Sequence, residues 1–561
     1  MTPMPLRTPR ARARHLPAWR FALLASSLLA LAACAPPAGD PAGEPRSARS
    51  DDGVVFHRGN GAEPDTLDPH RSEESAAAEI LRDLYEGLTT ELVDSTVVPG
   101  VAESWTISDD GLVYTFRLRD NARWSNGDPV VAEDFVAGMR RSVDPATGSS
   151  YAQMLWPIAN ARAITEGQLP VTELAVVALE DRVLEIRLAK PAPYFLGMLT
   201  HSATYPIHRA TLAEHGGRFA RAGIKVSNGA YRLDEWVIQS HVRLRRNPYY
   251  HDVDNVQIDT VYFHNTEDVS SEFNRYRAGE LDFTLQIPNN QYRWIRENLA
   301  DELRVAPYLS TYFYQLNITR PPFDDVRVRK ALSMAIDREI ITQRVTGVGE
   351  RPAYAFVAEG VANYTPVRYE WADWPMERRR EEAQRLLAEA GFGPDNPLRI
   401  EILYNTSENH RRLAVAVASM WQETLGVEAS PFNQEWKVML QTRRDLEAWQ
   451  VMRYGWIGDY NDPFTFLEIK QSGHGQNTVN WSNEAYDALL ARAGQERDLA
   501  ARAELLAQAE RVMLEDYPLI PLYFYVTKHL VKPHVIGYQP NIMDRNYSRH
   551  YRIERGMRTD R

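Results

Sequence analysis

The chain has 561 residues, with 64 basic against 75 acidic side chains and a formal net charge of −11 at neutral pH. A balance this acidic argues against nucleic acid or anionic lipid as a partner. The length supports a large core and is too great for a single one, while 13 Trp and 27 Tyr leave aromatic material for lining a binding site.

At the N-terminus Arg7, Arg10, Arg12, Arg14 and Arg20 form a positive segment without an acid. The apolar run from Phe21 to Ala33 is 13 residues long, too short to span a bilayer and right for a signal-peptide core. It closes in Leu31-Ala32-Ala33-Cys34, which resembles the lipobox of bacterial lipoproteins, where the cysteine is acylated and becomes the new N-terminus. The alternative is an ordinary secretory signal beside an incidental cysteine. Cys34 is the sole cysteine, so no internal disulfide is expected. Residues 35–50 are rich in Pro, Ala, Gly, Ser and Arg and predict a flexible tether. Cleavage before Cys34 removes five arginines and no acids, taking the formal charge from −11 to −16.

Beyond the tether, Val113 to Arg119 alternates as a half-buried strand, and Trp124 to Pro129 is a turn cluster. Val183 to Leu188 and Val242 to Arg246 predict further strands. Glu377 to Ala390 carries Ala383, Leu386, Leu387 and Ala390 on one helical face, with Gly391 as the C-terminal cap. Ser482 predicts the N-cap of a helix beginning at Asn483, and Leu505 to Leu514 is helical. Strands and helices interleave without a clean βαβ rhythm, so two large α/β lobes are expected rather than one doubly wound sheet.

The motifs of common enzymes are missing: no G-x-S-x-G elbow, no H-E-x-x-H, no phosphate-binding G-x-x-x-x-G-K-[S/T] loop and no C-x-x-C pair. Gly347-Val348-Gly349 lacks a third glycine and follows a helical pattern. The histidines are scattered, so neither a metal nor a cofactor is expected. The informative region runs from Tyr404 to Tyr460. It holds His410, then Asn433-Gln434-Glu435-Trp436, then Arg443, and finally Arg453-Tyr454-Gly455-Trp456-Ile457-Gly458-Asp459-Tyr460. Arginine offers a forked donor for a carboxylate, and aspartate offers acceptors for an ammonium group. That set matches a zwitterionic peptide, but on composition alone a structural ion-pair network with core tryptophans is the better fit.

These segments resemble the periplasmic oligopeptide-binding proteins, the peptide branch of the peptide/nickel solute-binding family of ABC importers. The resemblance runs from Thr66-Leu67-Asp68-Pro69-His70 through Pro99-Gly100-Val101-Ala102-Glu103-Ser104-Trp105. It continues through Val226-Ser227-Asn228-Gly229-Ala230-Tyr231 and Pro322-Phe323-Asp324-Asp325-Val326-Arg327 to Leu530-Val531-Lys532-Pro533. It implies that Asp459 binds a peptide α-ammonium group, that Trp436 packs on ligand side chains, and that Arg443, Arg453 and His410 line the cleft. Arg453 and His410 would meet the C-terminal carboxylate of shorter ligands. Glu73 matches an acidic cleft residue, Tyr151 a ligand-contacting tyrosine, and Trp456 shares the block of Asp459. Three positions depart from the family pattern: Gln315 stands where an acid is usual, Thr346 where a lysine is usual, and Ser310 and Ile457 where enterobacterial members form a disulfide.

The resemblance further implies an α/β, two-lobed periplasmic-binding-protein fold, type II-like, with a small additional domain and a cleft closed by a hinge. The expected divisions are 1–33 signal peptide, 34–52 lipidated cysteine and tether, 53–85 with 211–309 and 526–561 as the first lobe, 86–210 as the small domain, and 310–525 as the second lobe. A periplasmic monomer is expected, anchored through Cys34, delivering short peptides to membrane permease subunits and catalysing nothing. Main-chain hydrogen bonds to an extended peptide are independent of its sequence, so affinity comes without sequence preference. Rival solutes are murein-derived peptides, dipeptides, glutathione and nickel. Rival classes are a secreted peptidase, which needs a nucleophile–base pair that is absent, and a lipid-anchored chaperone or receptor.

Overall fold

Residues 53–73 and 75–554 are described by the computed structural model, Trp436 and Lys437 through their backbone alone. Cys34, the signal segment and the tether lie outside the described residues. Strand β1 (Val55–Gly61) is followed by a four-stranded antiparallel sheet, β2 (Ala102–Ile107), β3 (Val113–Leu118), β4 (Val176–Glu180) and β5 (Val183–Arg187), ordered β2-β3-β5-β4. In β3, Tyr114, Phe116 and Leu118 are buried and Arg117 faces out, the alternation that the sequence predicts. Three strands then return to β1: β6 (Tyr231–Val237), β7 (His241–Arg246) and β8 (Thr260–Asn265), in the order β1-β8-β7-β6, with β1 parallel to β8.

The largest sheet contains β9 (Leu303–Leu316), β10 (Arg351–Pro352), β11 (Arg399–Asn405), β12 (Glu428–Gln434), β13 (Val451–Ile457) and β14 (Leu519–Leu530), ordered β10-β14-β9-β13-β11-β12. Pairs within β11, β12 and β13 are parallel, and β9 is antiparallel to both neighbours. Strand β9 changes character along its length: Leu303 to Tyr308 is partly exposed, whereas Leu309 to Leu316 is buried on both faces. Its pairing with β14 shifts register between Pro307 and Thr311. The two long strands thus link two lobes with separate cores. Leu530 packs with Phe273, Tyr276 and Ile295, while Leu309, Phe313 and Tyr523 join the large core around Trp371, Trp421 and Trp449.

Helices cover the large sheet. Helix α1 (Met376–Glu389) buries Ala383, Leu386 and Leu387, and Gly391 follows it at φ +88°, a left-handed conformation that glycine adopts without strain. Helix α2 (Glu408–Leu425) buries Leu413, Ala414, Val417 and Trp421 at helical spacing, and the Trp421 indole donates to Leu332 O at 2.9 Å. Helices α3 (Glu484–Ala493) and α4 (Leu499–Asp516) pack on each other. The cap of α3 is Asn483, one residue later than the sequence suggests. Its side chain accepts from Tyr486 N at 3.0 Å, while Ser482 Oγ accepts from Ser472 Oγ at 3.0 Å. Both residue types cap well, and the competing serine contact decides between them. Among the described residues no helix is long and apolar enough to cross a membrane.

Candidate functional site

The lobes press together around Tyr460. It is buried in the core that holds Phe56, Phe116 and Phe195, although it follows β13 of the large sheet. Its ring stacks on Tyr194 at 5.0 Å, and Tyr194 stacks on Phe464 at the same distance. Arg502 covers Tyr194 at 5.4 Å and grips Asp462 with two bonds of 2.7 and 2.8 Å. On the same seam, Arg497 donates to the backbone carbonyls of Asp109 and Ser108.

One residue earlier lies Asp459. Its backbone is fixed twice: its N–H donates to Thr465 Oγ1 at 3.1 Å, and its carbonyl accepts from Arg545 at 2.7 Å. Gly458 sets the approach, because a Cβ there would lie 2.4 Å from Leu309 Cδ2. The carboxylate itself takes no hydrogen bond and no ion pair from any described residue. Burial raises its pKa to about 7, opposed among the described residues by the charge of Arg545. Tyr151 faces it: burial and then the charges of Asp459 and Glu73 push the phenol up, and its ring packs on His201 at 4.7 Å. Glu73 is exposed and accepts from Ser150 Oγ.

The two arginines occupy opposite faces of the large sheet. Arg453 pairs with Tyr314 across β13 and β9, so its face carries Tyr312 and Tyr314. Its guanidinium lies 4.9 Å over the Tyr312 ring, donates to Tyr525 Oη at 2.9 Å and to Asn405 Oδ1 at 3.3 Å, and has no carboxylate partner. His410, on α2, approaches Tyr312 Oη at 3.4 Å; burial and then Arg453 hold its pKa down at about 3, leaving it neutral. Tyr454 pairs with Phe313 on the other face. There Arg443 donates to Tyr454 Oη, and that hydroxyl donates to Gln476 at 3.0 Å. The Trp456 indole N–H is buried on this face without a partner.

Asp459, Tyr151 and Glu73 therefore share one end of the site, Arg453 and His410 one sheet face, and Arg443 and Trp456 the other. Gln315 is fully buried and accepts from Lys470 Nζ at 3.0 Å. Trp436 opens the helix Trp436–Thr442, and its side chain lies outside the described residues. Ser310 and Ile457 are direct cross-strand partners between β9 and β13. Arg545, Tyr454 and Lys470 escape sequence reasoning. No motif marks them, and their partners lie on other strands. Among the described residues no group of three or more His, Cys, Asp or Glu side chains could hold a metal ion.

Residues 96–478 match the family model of bacterial extracellular solute-binding proteins, family 5. The chain is 41% identical over 500 residues to the periplasmic oligopeptide-binding protein OppA of Escherichia coli strain K12, covering 88% of this chain and 92% of the relative. Its fold is similar to the E. coli murein tripeptide binding protein MppA, with a TM-score of 0.80 at 38% identity, over 90% of this chain and 99% of that one. It is also similar to Haemophilus influenzae OppA in complex with the peptide RPPGFSPFR, with a TM-score of 0.79 at 37% identity, over 90% of this chain and 99% of that one. The match spans two lobes, interlobe seam and central sheet alike: this chain belongs to the bacterial extracellular solute-binding proteins of family 5, a family of binding proteins rather than enzymes.

Proposed function

We propose that this protein captures short peptides between its lobes and hands them to the permease of an ABC importer. The observation that carries this reading is Asp459, a partly buried carboxylate beside the seam with no cationic side chain bonded to its oxygens. Such a group is costly unless a ligand brings the counter-charge, and a peptide α-ammonium group does so. The cations without carboxylate partners, Arg453 and Arg443, stand ready for the opposite charge of the same ligand. Relatives named for oligopeptide and murein-peptide binding support the assignment. ATP hydrolysis belongs to other subunits.

The remaining expected site residues take roles around this pair. Tyr151, Glu73 and Trp456 line the cleft, and His410 accompanies Arg453 at the carboxylate end. The lobes divide at 53–85, 211–309 and 526–561 against 310–525, with a small domain at 86–210. The register shift of the β9–β14 ribbon supports a hinge near Leu309 and Tyr525. A monomer tethered in the periplasm through acylated Cys34 completes the reading. Cys34→Ser abolishes lipid labelling and leaves either uncleaved or released soluble protein; unchanged membrane retention would remove the anchor. Within the peptide class, the amide at Gln315 favours murein-derived peptides as a second ligand group. Mass spectrometry of ligands released by denaturation tests the whole reading: a ladder of free-ended peptides supports it, and a single non-peptide species contradicts it.

A further inference from the structure

A groove of about 440 Å³ lies between helix α2 and the turn Ile341–Thr346, which packs on it. That turn has the wide π-helical geometry, a rare form frequent at functional sites. Val345 on the turn and Val415 and Ala416 on α2 give the groove an apolar lining, and Val415 is 50% exposed. Arg344, Arg411 and Arg412 flank this lining, and among the described residues no acid lines the groove.

The three arginines are poorly compensated. Arg411 takes Glu408 through two hydrogen bonds of 2.9 and 3.0 Å. Arg412 donates to the neutral Asn409 Oδ1 at 3.2 Å, and the Arg344 guanidinium bonds no described residue. Arg411 and Arg412 also stand in the opening turns of α2, toward the positive end of the helix dipole, where acids are favoured over cations. In a chain with a formal charge of −11, three arginines around an apolar lining are a local reversal of sign. The surface complements a partner segment that is acidic and carries an apolar side chain.

Its position selects the partner. His410 packs on Tyr312 at 5.6 Å and directly precedes Arg411. The groove therefore starts at the rim of the peptide site and follows α2 away from it to Ser419, roughly 13 Å at 1.5 Å per residue. On the peptide reading, a short ligand held between Asp459 and His410 ends before this stretch. An anionic bilayer is opposed by the negative charge of the chain as a whole. The permease, which receives the ligand at the same rim, has neither objection.

We propose that the groove between α2 and the π-helical turn docks an acidic, partly apolar segment of the permease, with Arg344 and Arg412 meeting its carboxylates and Val415 its apolar side chain. This rests on the peptide-import reading. Charge at such a rim steers encounter and fixes orientation, so its loss slows delivery without touching capture.

Uptake of a labelled tripeptide by cells tests this, with Arg344→Glu and Arg412→Glu combined in the full chain and expressed at the wild-type level. The double reversal is expected to lower uptake at least about tenfold, while calorimetry on the purified variant gives a Kd within about twofold of wild type. Arg344→Lys with Arg412→Lys keeps the charge and is expected to keep uptake. Thermal unfolding checks that each variant is folded; should the double reversal unfold, Arg344→Glu alone carries the test. Undiminished uptake overturns the docking site, as does an equal loss in Arg399→Glu, an exposed arginine at the start of β11 that controls for net charge. Peptide binding weakened as much as uptake assigns the groove to the ligand and overturns the proposal. Sedimentation with phosphatidylglycerol vesicles that is lost together with uptake assigns it to lipid and overturns it equally. Wild-type protein that neither binds the tripeptide nor supports its uptake overturns the import reading itself.

Discussion

Arg545 holds the backbone of Asp459 from 86 positions further along the chain. One arm donates to the Asp459 carbonyl at 2.7 Å, and the other donates to Glu91 Oε1 at 2.7 Å and Thr200 Oγ1 at 2.5 Å. Both charged partners are buried, with side-chain exposures of 6% and 3%. The link couples the residue proposed to bind the ammonium group to closure. Removing one member of a buried pair typically costs about 3–5 kcal/mol, because the other charge remains enclosed. Arg545→Gln is expected to weaken peptide binding at least tenfold, about 1.4 kcal/mol or more, and to enlarge the ligand-free particle in small-angle scattering. Unchanged affinity with an unchanged radius would show that the contact is incidental.

Arg453 is a test of geometry rather than charge. Its planar group reaches Tyr525 and Asn405 together while covering the Tyr312 ring. Lysine keeps the charge but cannot span both acceptors. Arg453→Lys is expected to weaken di- and tripeptides more than pentapeptides with little loss of thermal stability. Equal affinities across the length series would make the residue structural.

Closure without ligand is expected to depend on pH. Enclosure raises Asp459 to about 7 and Glu468 to about 8, Glu468 despite its hydrogen bond from Tyr460. Exposed in an open form, both would titrate near 4. Below the raised values the closed form binds more protons, so acidification favours it, and the benefit is lost as pH rises through about 7 to 8. Scattering of the ligand-free protein should show compaction between about pH 8 and pH 5, and Asp459→Asn with Glu468→Gln should abolish the trend. Compaction that persists in the double variant would place the titrating group elsewhere.

Glu510 staples the loop beside β10. Its carboxylate accepts from Phe356 N at 2.9 Å, Val357 N at 2.8 Å, Val367 N at 2.8 Å and Tyr364 Oη at 2.7 Å. Hydrogen bonds to a charged group contribute about 1.5–3 kcal/mol each, and two of the donors, Phe356 N and Val357 N, are main-chain groups that would be left buried. Glu510→Ala is expected to destabilise the protein by more than about 3 kcal/mol in chemical denaturation. A loss below about 1 kcal/mol would show that the loop finds other acceptors.

Strands and helices with a clean period are legible in the sequence. Tyr114, Phe116 and Leu118 alternate, and Ala383, Leu386 and Leu387 recur at helical spacing, because a single buried face imposes each pattern. The cap of α3 is not legible, since Ser482 and Asn483 are equally good local candidates and a distant serine contact decides. The site divides in the same way. Asp459 and Arg453 sit in one block, but nothing local reveals that Arg443 and Arg453 lie on opposite sheet faces. Arg545 lies 86 positions from Asp459, and Lys470 lies 155 from Gln315. Such contacts follow from strand order, which no short window contains.

The central claim is that Asp459 supplies the counter-charge for a peptide α-ammonium group. A double-mutant cycle by calorimetry tests it most directly, pairing wild type and Asp459→Ala with a tripeptide and its N-acetylated form. Each single change is expected to weaken binding by roughly 30-fold or more, and the combination should cost no more than either alone because both break one contact. If Asp459→Ala still prefers the free over the acetylated peptide by the wild-type factor, Asp459 is not the ammonium site.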